Sequence, residues 1–243
     1  MFDLVLRSRR VVCPDGIREA VIAIKDGRIA ALLPFDAPVA GPVLDVGSHA
    51  ILPGVIDPHV HINEPGRTEW EGFDTATRAA LAGGLTSLVD MPLNSAPVTT
   101  SVANLALKRA ATQGQLHGNV GFWGGVVPGN AAEIEPLIAA GVLGFKAFLT
   151  HSGIDDFPNA TEDDLRRVMP ILARHRLPLL VHCELSEDND EWKQNDHRSY
   201  QNYLASRPKK WEDDAVALMI RLCEEFNCPV HIVHLSSDRK SVV

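Results

Sequence analysis

Four histidines and one lysine carry the chemistry this chain is equipped for. Each stands at or near the C-terminal end of an apolar run. His59 and His61 close Gly54-Val-Ile-Asp-Pro-His-Val-His61, and Lys146 lies in Val142-Leu-Gly-Phe-Lys-Ala-Phe-Leu149. His182 closes Leu177-Pro-Leu-Leu-Val-His182, and His234 closes Pro229-Val-His-Ile-Val-His234. Residues two apart on a strand face the same side, so His59 and His61 can hold one cation from one edge. His182 and His234 each have a plainer explanation alone, as hydrogen-bonded core residues. Together with the HxH pair they point to a shared site. His231 competes with His234, but a spacing of three puts it on the opposite face of a regular strand, so the residue nearer the strand end is preferred.

A lysine inside an apolar strand is expensive to bury as an ammonium. It can snorkel to water or form an ion pair. Alternatively, a neutral, desolvated amine can add carbon dioxide, and the resulting carbamate could bridge two metals where an unmodified lysine could not. Two divalent cations would make a bridging water acidic enough to attack near neutral pH, and one of them could polarise a carbonyl. The pattern therefore suits a metal-dependent hydrolase. A carboxylate base normally completes such a site. Asp57 and Asp90 lie near strand ends, and Asp57 sits deeper on the His59/His61 face, a place suited to orienting a ligand.

Such residues meet only if the elements carrying them bring their ends together. After residue 50 the chain alternates between strand and helix patterns, which argues for parallel βα units. Strands are predicted near Ala50–Ile56, Thr86–Asp90, Asn119–Val126, Leu143–Leu149, Leu177–His182 and Pro229–Leu235. Helices are predicted over Asp74–Ala82, Val102–Gln113, Leu165–His175 and Trp211–Phe226. Gly83-Gly84 closes the first of these, and Thr161-Glu-Asp-Asp164 opens the third with an acidic first turn. A parallel barrel gathers the C-terminal ends of its strands at one mouth. Residues 1–50 differ: Asp26-Gly27 between two short apolar runs signals a hairpin, so antiparallel strands are expected there. The division is thus 1–50 and 51–243. The stretch 186–210 is polar and long enough for a lid, an oligomer contact or a solvated insertion.

Composition excludes several classes. The chain has 243 residues, 45% apolar, with a net charge of −8 and no basic block, so nucleic-acid and anionic-membrane partners are not expected. No apolar run approaches the ~18 residues of a spanning helix, and the first residues lack the pattern of a signal peptide. The four cysteines form no CxxC pair and read as reduced thiols, consistent with a cytoplasmic location.

Pro53-Gly-Val-Ile-Asp-Pro-His-Val-His61, Gly83-Gly-Leu-Thr86, the strand Lys146, His182 and His231-Ile-Val-His234 resemble the cyclic amidohydrolases. This family includes dihydroorotase, dihydropyrimidinase, hydantoinase and allantoinase. Glu69-Trp-Glu-Gly-Phe73, Asp90-Met-Pro-Leu-Asn-Ser95, Phe145 to Gly153 and Tyr203 to Pro208 are most similar to its allantoinase branch. The resemblance implies a (β/α)8 TIM-type barrel beside a small β-sandwich, of which the first 50 residues would form a part. It implies a binuclear site, usually zinc: His59 and His61 on one ion, His182 and His234 on the other, and carbamylated Lys146 between them. The implied reaction opens a cyclic ureide, allantoin to allantoate, with hydantoinase or dihydropyrimidinase activity as the alternative. A small-molecule substrate and a homo-oligomer (a homotetramer in full-length members) follow from the same resemblance. Where dihydroorotases carry an arginine two residues after HxH, this chain has Asn63; a neutral amide is poorly matched to a carboxylate and better suited to an uncharged ring. Where dihydropyrimidinases carry a tyrosine five residues after the lysine, it has His151. Asn63, Asn94 and His151 are the expected substrate contacts.

In the family the general-base aspartate lies on an eighth strand, and only six strand patterns occur here. The expectation is a C-terminally truncated chain with about six βα units, poorly soluble and inactive alone; a catalytically inactive fragment is therefore a further alternative.

Overall fold

The computed structural model describes residues 1–187, 196 and 198–237. The chain divides into two compact units, Met1–Val55 and Ile56–Val243. In the first, β1 (Leu4–Cys13), β2 (Gly16–Lys25) and β3 (Arg28–Leu33) form an antiparallel meander, while β4 (Val43–Asp45) and β5 (Ala50–Ile51) lie parallel to β1. The expected hairpin is present: Asp26 and Gly27 both take positive φ, 51° and 69°, and Lys25 faces Arg28. That geometry matches the right-handed twist of the flanking strands.

The strand expected over Ala50–Ile56 is in fact two. Ala50–Ile51 pairs with β1, and the next strand, β6 (Val55–Val60), begins after Pro53-Gly54. Proline has no N–H to give to a ladder and glycine stiffens nothing, so the break falls there.

The second unit follows the βα rhythm. After β6 come α1 (Phe73–Ala82), β7 (Leu85–Asp90), α2 (Val102–Ala111), β8 (Asn119–Phe122) and β9 (Gly124–Gly125). Then come α3 (Ile134–Ala139), β10 (Phe145–Phe148), α4 (Glu162–His175), β11 (Leu179–His182), α5 (Tyr200–Ala205), α6 (Lys209–Phe226) and β12 (Val230–Val233). The strand orders are β6-β7-β8 and β12-β11-β10-β9, and β7/β8, β9/β10, β10/β11 and β11/β12 are parallel. The expected strand Asn119–Val126 splits at Trp123, its first half on β7 and its second on β10. Both glycines of β9 are required by close packing: a Cβ on Gly124 would stand 2.6 Å from the Phe145 ring. Pro58 sits inside β6 without breaking a ladder because β6 is the edge of its sheet.

The helices start where the sequence supplies acceptors. Ser101 accepts from the Asn104 N–H, and Thr161 and Asp164 form a reciprocal capping box on α4. α1 has no side-chain cap of its own; the Glu64 carboxylate takes the Phe73 N–H instead, at 2.9 Å. Leu105, Phe145, Leu165, Met169, Leu179 and Leu222 are among the buried side chains that join helices to strands in one core. α3 and α5, six residues each, were not expected; neither is long enough to display a helical period. The architecture is a TIM-type barrel in part, six strand positions among the described residues. Of the 186–210 stretch, residues 188–195 and 197 lie outside the described residues, as do 238–243. Among the described residues no helix is long and apolar enough to cross a membrane, and the four cysteines form no disulfide.

Candidate metal centre

β6 and β12 are opposite edges of the strand order, yet the rings of His59 and His234 stand 4.7 Å apart, centroid to centroid. The strands therefore curl far enough to bring their outer ends together. His61 lies 5.3 Å from His59, and His182 lies 5.5 Å from His234. All four histidines form one connected group, as their positions at strand ends led us to expect. His231 is exposed on the other side of β12.

Lys146 lies on β10 beside β11, paired in register with Leu180, and is fully buried. Among the described residues its Nζ has no hydrogen-bond partner, and it sits 4.7 Å above the Phe148 ring. Snorkelling and ion pairing, the two ordinary fates of a strand lysine, are both ruled out by this placement. Burial lowers its pKa from 10.5 to about 7. Burial also lowers the pKa of His59, to about 4, and those of His61, His182 and His234. The Lys146 charge contributes to all four of these depressions, so one amine is electrostatically coupled to every ring. Each of these shifts favours the uncharged imidazole, the form that donates a lone pair to a cation. Among the described residues no three His, Cys, Asp or Glu side chains are arranged as they stand to hold an ion. The protein thus gathers donors around a lysine that has no hydrogen-bond partner among the described residues.

The rings are oriented by their neighbours. His61 Nδ1 is 3.1 Å from Asn94 Oδ1, and Asn94 holds a positive φ of 77°. A proton on Nδ1 leaves Nε2 with its lone pair. Asp57 Oδ1 accepts the His59 N–H at 3.0 Å, so this carboxylate braces the main chain of the HxH segment. Asp90 is fully buried; Oδ1 accepts the Ile62 N–H at 2.7 Å and Oδ2 pairs with Lys108 at 2.6 Å. Both Asp90 oxygens are thus engaged within the protein, which suits a structural carboxylate rather than a base. On the far side His182 Nε2 lies 3.4 Å from Glu184, which receives both of its short contacts, 2.7 Å each, from Arg207 Nη1. The His182 ring also stacks on Phe148, 5.0 Å away. A cavity of about 320 Å3 opens beside His182 and His234, lined also by Arg207, Glu212 and Ser236.

The expected substrate contacts are placed less uniformly. Asn63 is buried two residues beyond His61, and its Oδ1 has no partner among the described residues. Asn94 is engaged with His61 itself. His151 is exposed in the connection after β10, where its Nδ1 accepts the Gly153 N–H and its Nε2 lies 3.4 Å from Asp155.

Residues 50–241 match the profile of the amidohydrolase family. The chain belongs to the amidohydrolase family. Its sequence is 48% identical to the allantoinase of Streptomyces avermitilis over 238 residues, 97% of this chain and 54% of that protein. It is 46% identical to the mitochondrial allantoinase of Aquarana catesbeiana over 241 residues, 98% of this chain and 50% of that protein. In three dimensions it resembles an L-hydantoinase (dihydropyrimidinase) from Arthrobacter aurescens, with a TM-score of 0.89 and 29% identity, over 97% of this chain and 53% of that one. A D-hydantoinase at 24% identity and a TM-score of 0.83 shares the fold. The chain spans about half the length of the curated relatives it matches.

Four polar residues around the site of this amidohydrolase escaped the sequence reading: Lys108, Glu184, Arg207 and Glu212. Glu184 was within reach, since it is two residues from His182 and i, i+2 positions can share a side. Lys108 left a fainter mark, a charge three residues after the core Leu105 on an otherwise apolar helix face.

Proposed function

We propose that this amidohydrolase contributes to a cyclic amidase that opens the ring of allantoin to allantoate, with two divalent cations, zinc by preference, at the histidine cluster. The observation that carries the reading is the buried, partnerless Nζ of Lys146 amid four imidazoles. A partnerless buried amine is destabilising unless it is neutral or modified. Addition of carbon dioxide forms an N–C bond and releases a proton, converting a donor with no partner into a two-oxygen anion. That anion would complete the ligand set: His59 and His61 on one side, His182 and His234 on the other, carbamylated Lys146 between. The bound cations would supply an acidified water and a polarised carbonyl.

The chain's own residues set the rest. Asn94 fixes the His61 tautomer, and Asp57 braces the His59 main chain. Buried Asn63 offers an unused carbonyl oxygen to a ring N–H, and His151 supplies a further polar contact. The uncharged amide of Asn63 supports a neutral ureide over a carboxylated ring. The curated relatives named allantoinase support the same choice. The 1–50 segment is read as part of a small β-sandwich, the protein as a homo-oligomer, and its location as cytoplasmic.

The test begins with metal content of the purified chain, measured with and without added bicarbonate. Uptake of two ions, together with a carbamate carbon signal from 13C-bicarbonate that disappears in Lys146→Met, is expected. Ring-opening rates on allantoin, hydantoin and dihydrouracil, measured on protein of the relatives' length, then rank the substrates. Wild-type metal uptake unchanged by Lys146→Met would sink the reading.

A further inference from the structure

Beyond the ligands, one buried polar arrangement has no part in the chemistry above. Lys108, on α2, is entirely inside the core, where its Nζ donates to Asp90 Oδ2 at 2.6 Å and to the Met91 carbonyl at 3.0 Å. Asp90 ends β7 and is equally buried. Its other oxygen accepts the main-chain N–H of Ile62 at 2.7 Å, one residue beyond His61. β6 has ended at Val60, whose carbonyl takes the Met91 N–H at 2.8 Å. The bond from Ile62 therefore prolongs the link between the two strands by one more rung, through a side chain where the backbones have parted.

Replacing a buried ion pair by well-packed apolar residues is often neutral or stabilising, so stability alone does not explain this one. Its position does. His61 is held on its ring by Asn94 and on its main chain by the Asp90–Ile62 bond, both from the segment that follows β7. We propose that Lys108 and Asp90 are positioning residues for the HxH segment: Lys108 keeps the carboxylate in place, and the carboxylate sets the chain path on which His61 is presented. The inference rests on the metal-centre reading for its purpose, but the lock itself is built wholly from protein groups.

Two double variants separate the lock from mere packing, and neither leaves a buried unpaired charge. Asp90→Asn/Lys108→Met keeps an oxygen to accept the Ile62 N–H. Asp90→Leu/Lys108→Met removes it. Amide hydrogen exchange of the metal-free chain, read on peptides covering residues 58–64, is expected to be roughly 10-fold faster in the leucine variant than in the asparagine variant, as for loss of one hydrogen bond. Peptides from α4 serve as the internal control and are expected to exchange alike in both. Zinc affinity, titrated against a chromogenic chelator, is expected to fall by roughly 10-fold in the leucine variant and to stay within about 3-fold of wild type in the asparagine variant. Equal exchange at 58–64 in the two variants, or equal zinc affinity in two variants that both bind zinc, would overturn the inference. A wild-type chain that takes up no metal would count against the metal-centre reading instead, and the exchange comparison, made without ions, would still decide whether the lock exists.

Discussion

On the β6–β7 side, the histidines are held from within the core; on the β11–β12 side, they are held from the surface. The first side relies on Asp90 and Lys108, whose side chains are 0% and 1% exposed, and on Asn94 against His61. The second relies on Glu184 and Arg207, at 12% and 51% exposure, and on Glu212, whose carboxylate takes the Ser236 N–H, the Ser236 hydroxyl and the Ser237 N–H just after His234. His234 itself sits at a positive φ of 60°, a conformation that costs a non-glycine residue about 1–2 kcal/mol. A buried charge pair is intolerant of losing one member, whereas an exposed pair is screened and contributes little. The two sides should therefore fail differently, the inner one by unfolding and the outer one by loosening its grip on an ion.

The largest expected effect is on the inner side. Asp90→Ala strands the Lys108 ammonium and should lower unfolding free energy by about 3–5 kcal/mol, read from urea denaturation. Arg207→Ala, the matching change on the outer side, should lower it by no more than about 1 kcal/mol. Similar losses in both would erase the distinction. Next comes Lys146→Met, which removes the group between the two sides. Ion affinity should drop by at least ~100-fold, beyond what loss of an outer-shell partner produces, while the melting temperature of the apoprotein holds or rises because the orphaned amine is gone. A smaller effect is expected from the residues that orient rings. Asn94→Ala and Glu184→Ala should each weaken ion binding by roughly 10-fold, and isothermal titration would show whether the losses fall on separate ions or on one.

The smallest concerns the helix that leads into β11. Thr161→Ala removes half of the α4 capping box and should cost about 1 kcal/mol. Burial alone would raise the pKa of Asp164, but its bonds to Thr161 and Gly129 outweigh that and hold it below its ordinary 3.8. Its contribution is thus present above pH ~4 and lost as pH falls through the lowered value. The difference between Thr161→Ala and wild type in chemical denaturation should accordingly shrink below about pH 4. A difference that persists unchanged at pH 3 would show that the carboxylate is not involved.

The five residues expected to share a site could be picked out in advance because the histidines end apolar runs and Lys146 lies inside one, and a parallel strand delivers its last residues to the mouth. The helix start at Thr161 was equally legible, being written in local capping chemistry. What Asp90 does was not legible in the same way, because both of its oxygens are taken by groups far along the chain. Neither Lys108, 18 residues away, nor the Ile62 N–H, 28 away, announces itself as its partner. The break of the third strand at Trp123 was also hidden, because it depends on which neighbour each half can reach.

Periodicity, capping residues and strand-end chemistry are local properties, carried by a few neighbours along the chain, and so the sequence alone was enough to determine the βα order, the hairpin at Asp26-Gly27 and the identity of the candidate ligands. How those ligands are held is a matter of distance between residues far apart in the chain. Only the folded molecule decided that Lys146 has no partner, that His59 meets His234 across the mouth, and that one side of the cluster is anchored in the core while the other faces water. Burial and the pairing of distant charges are set by packing, which no single stretch of sequence contains.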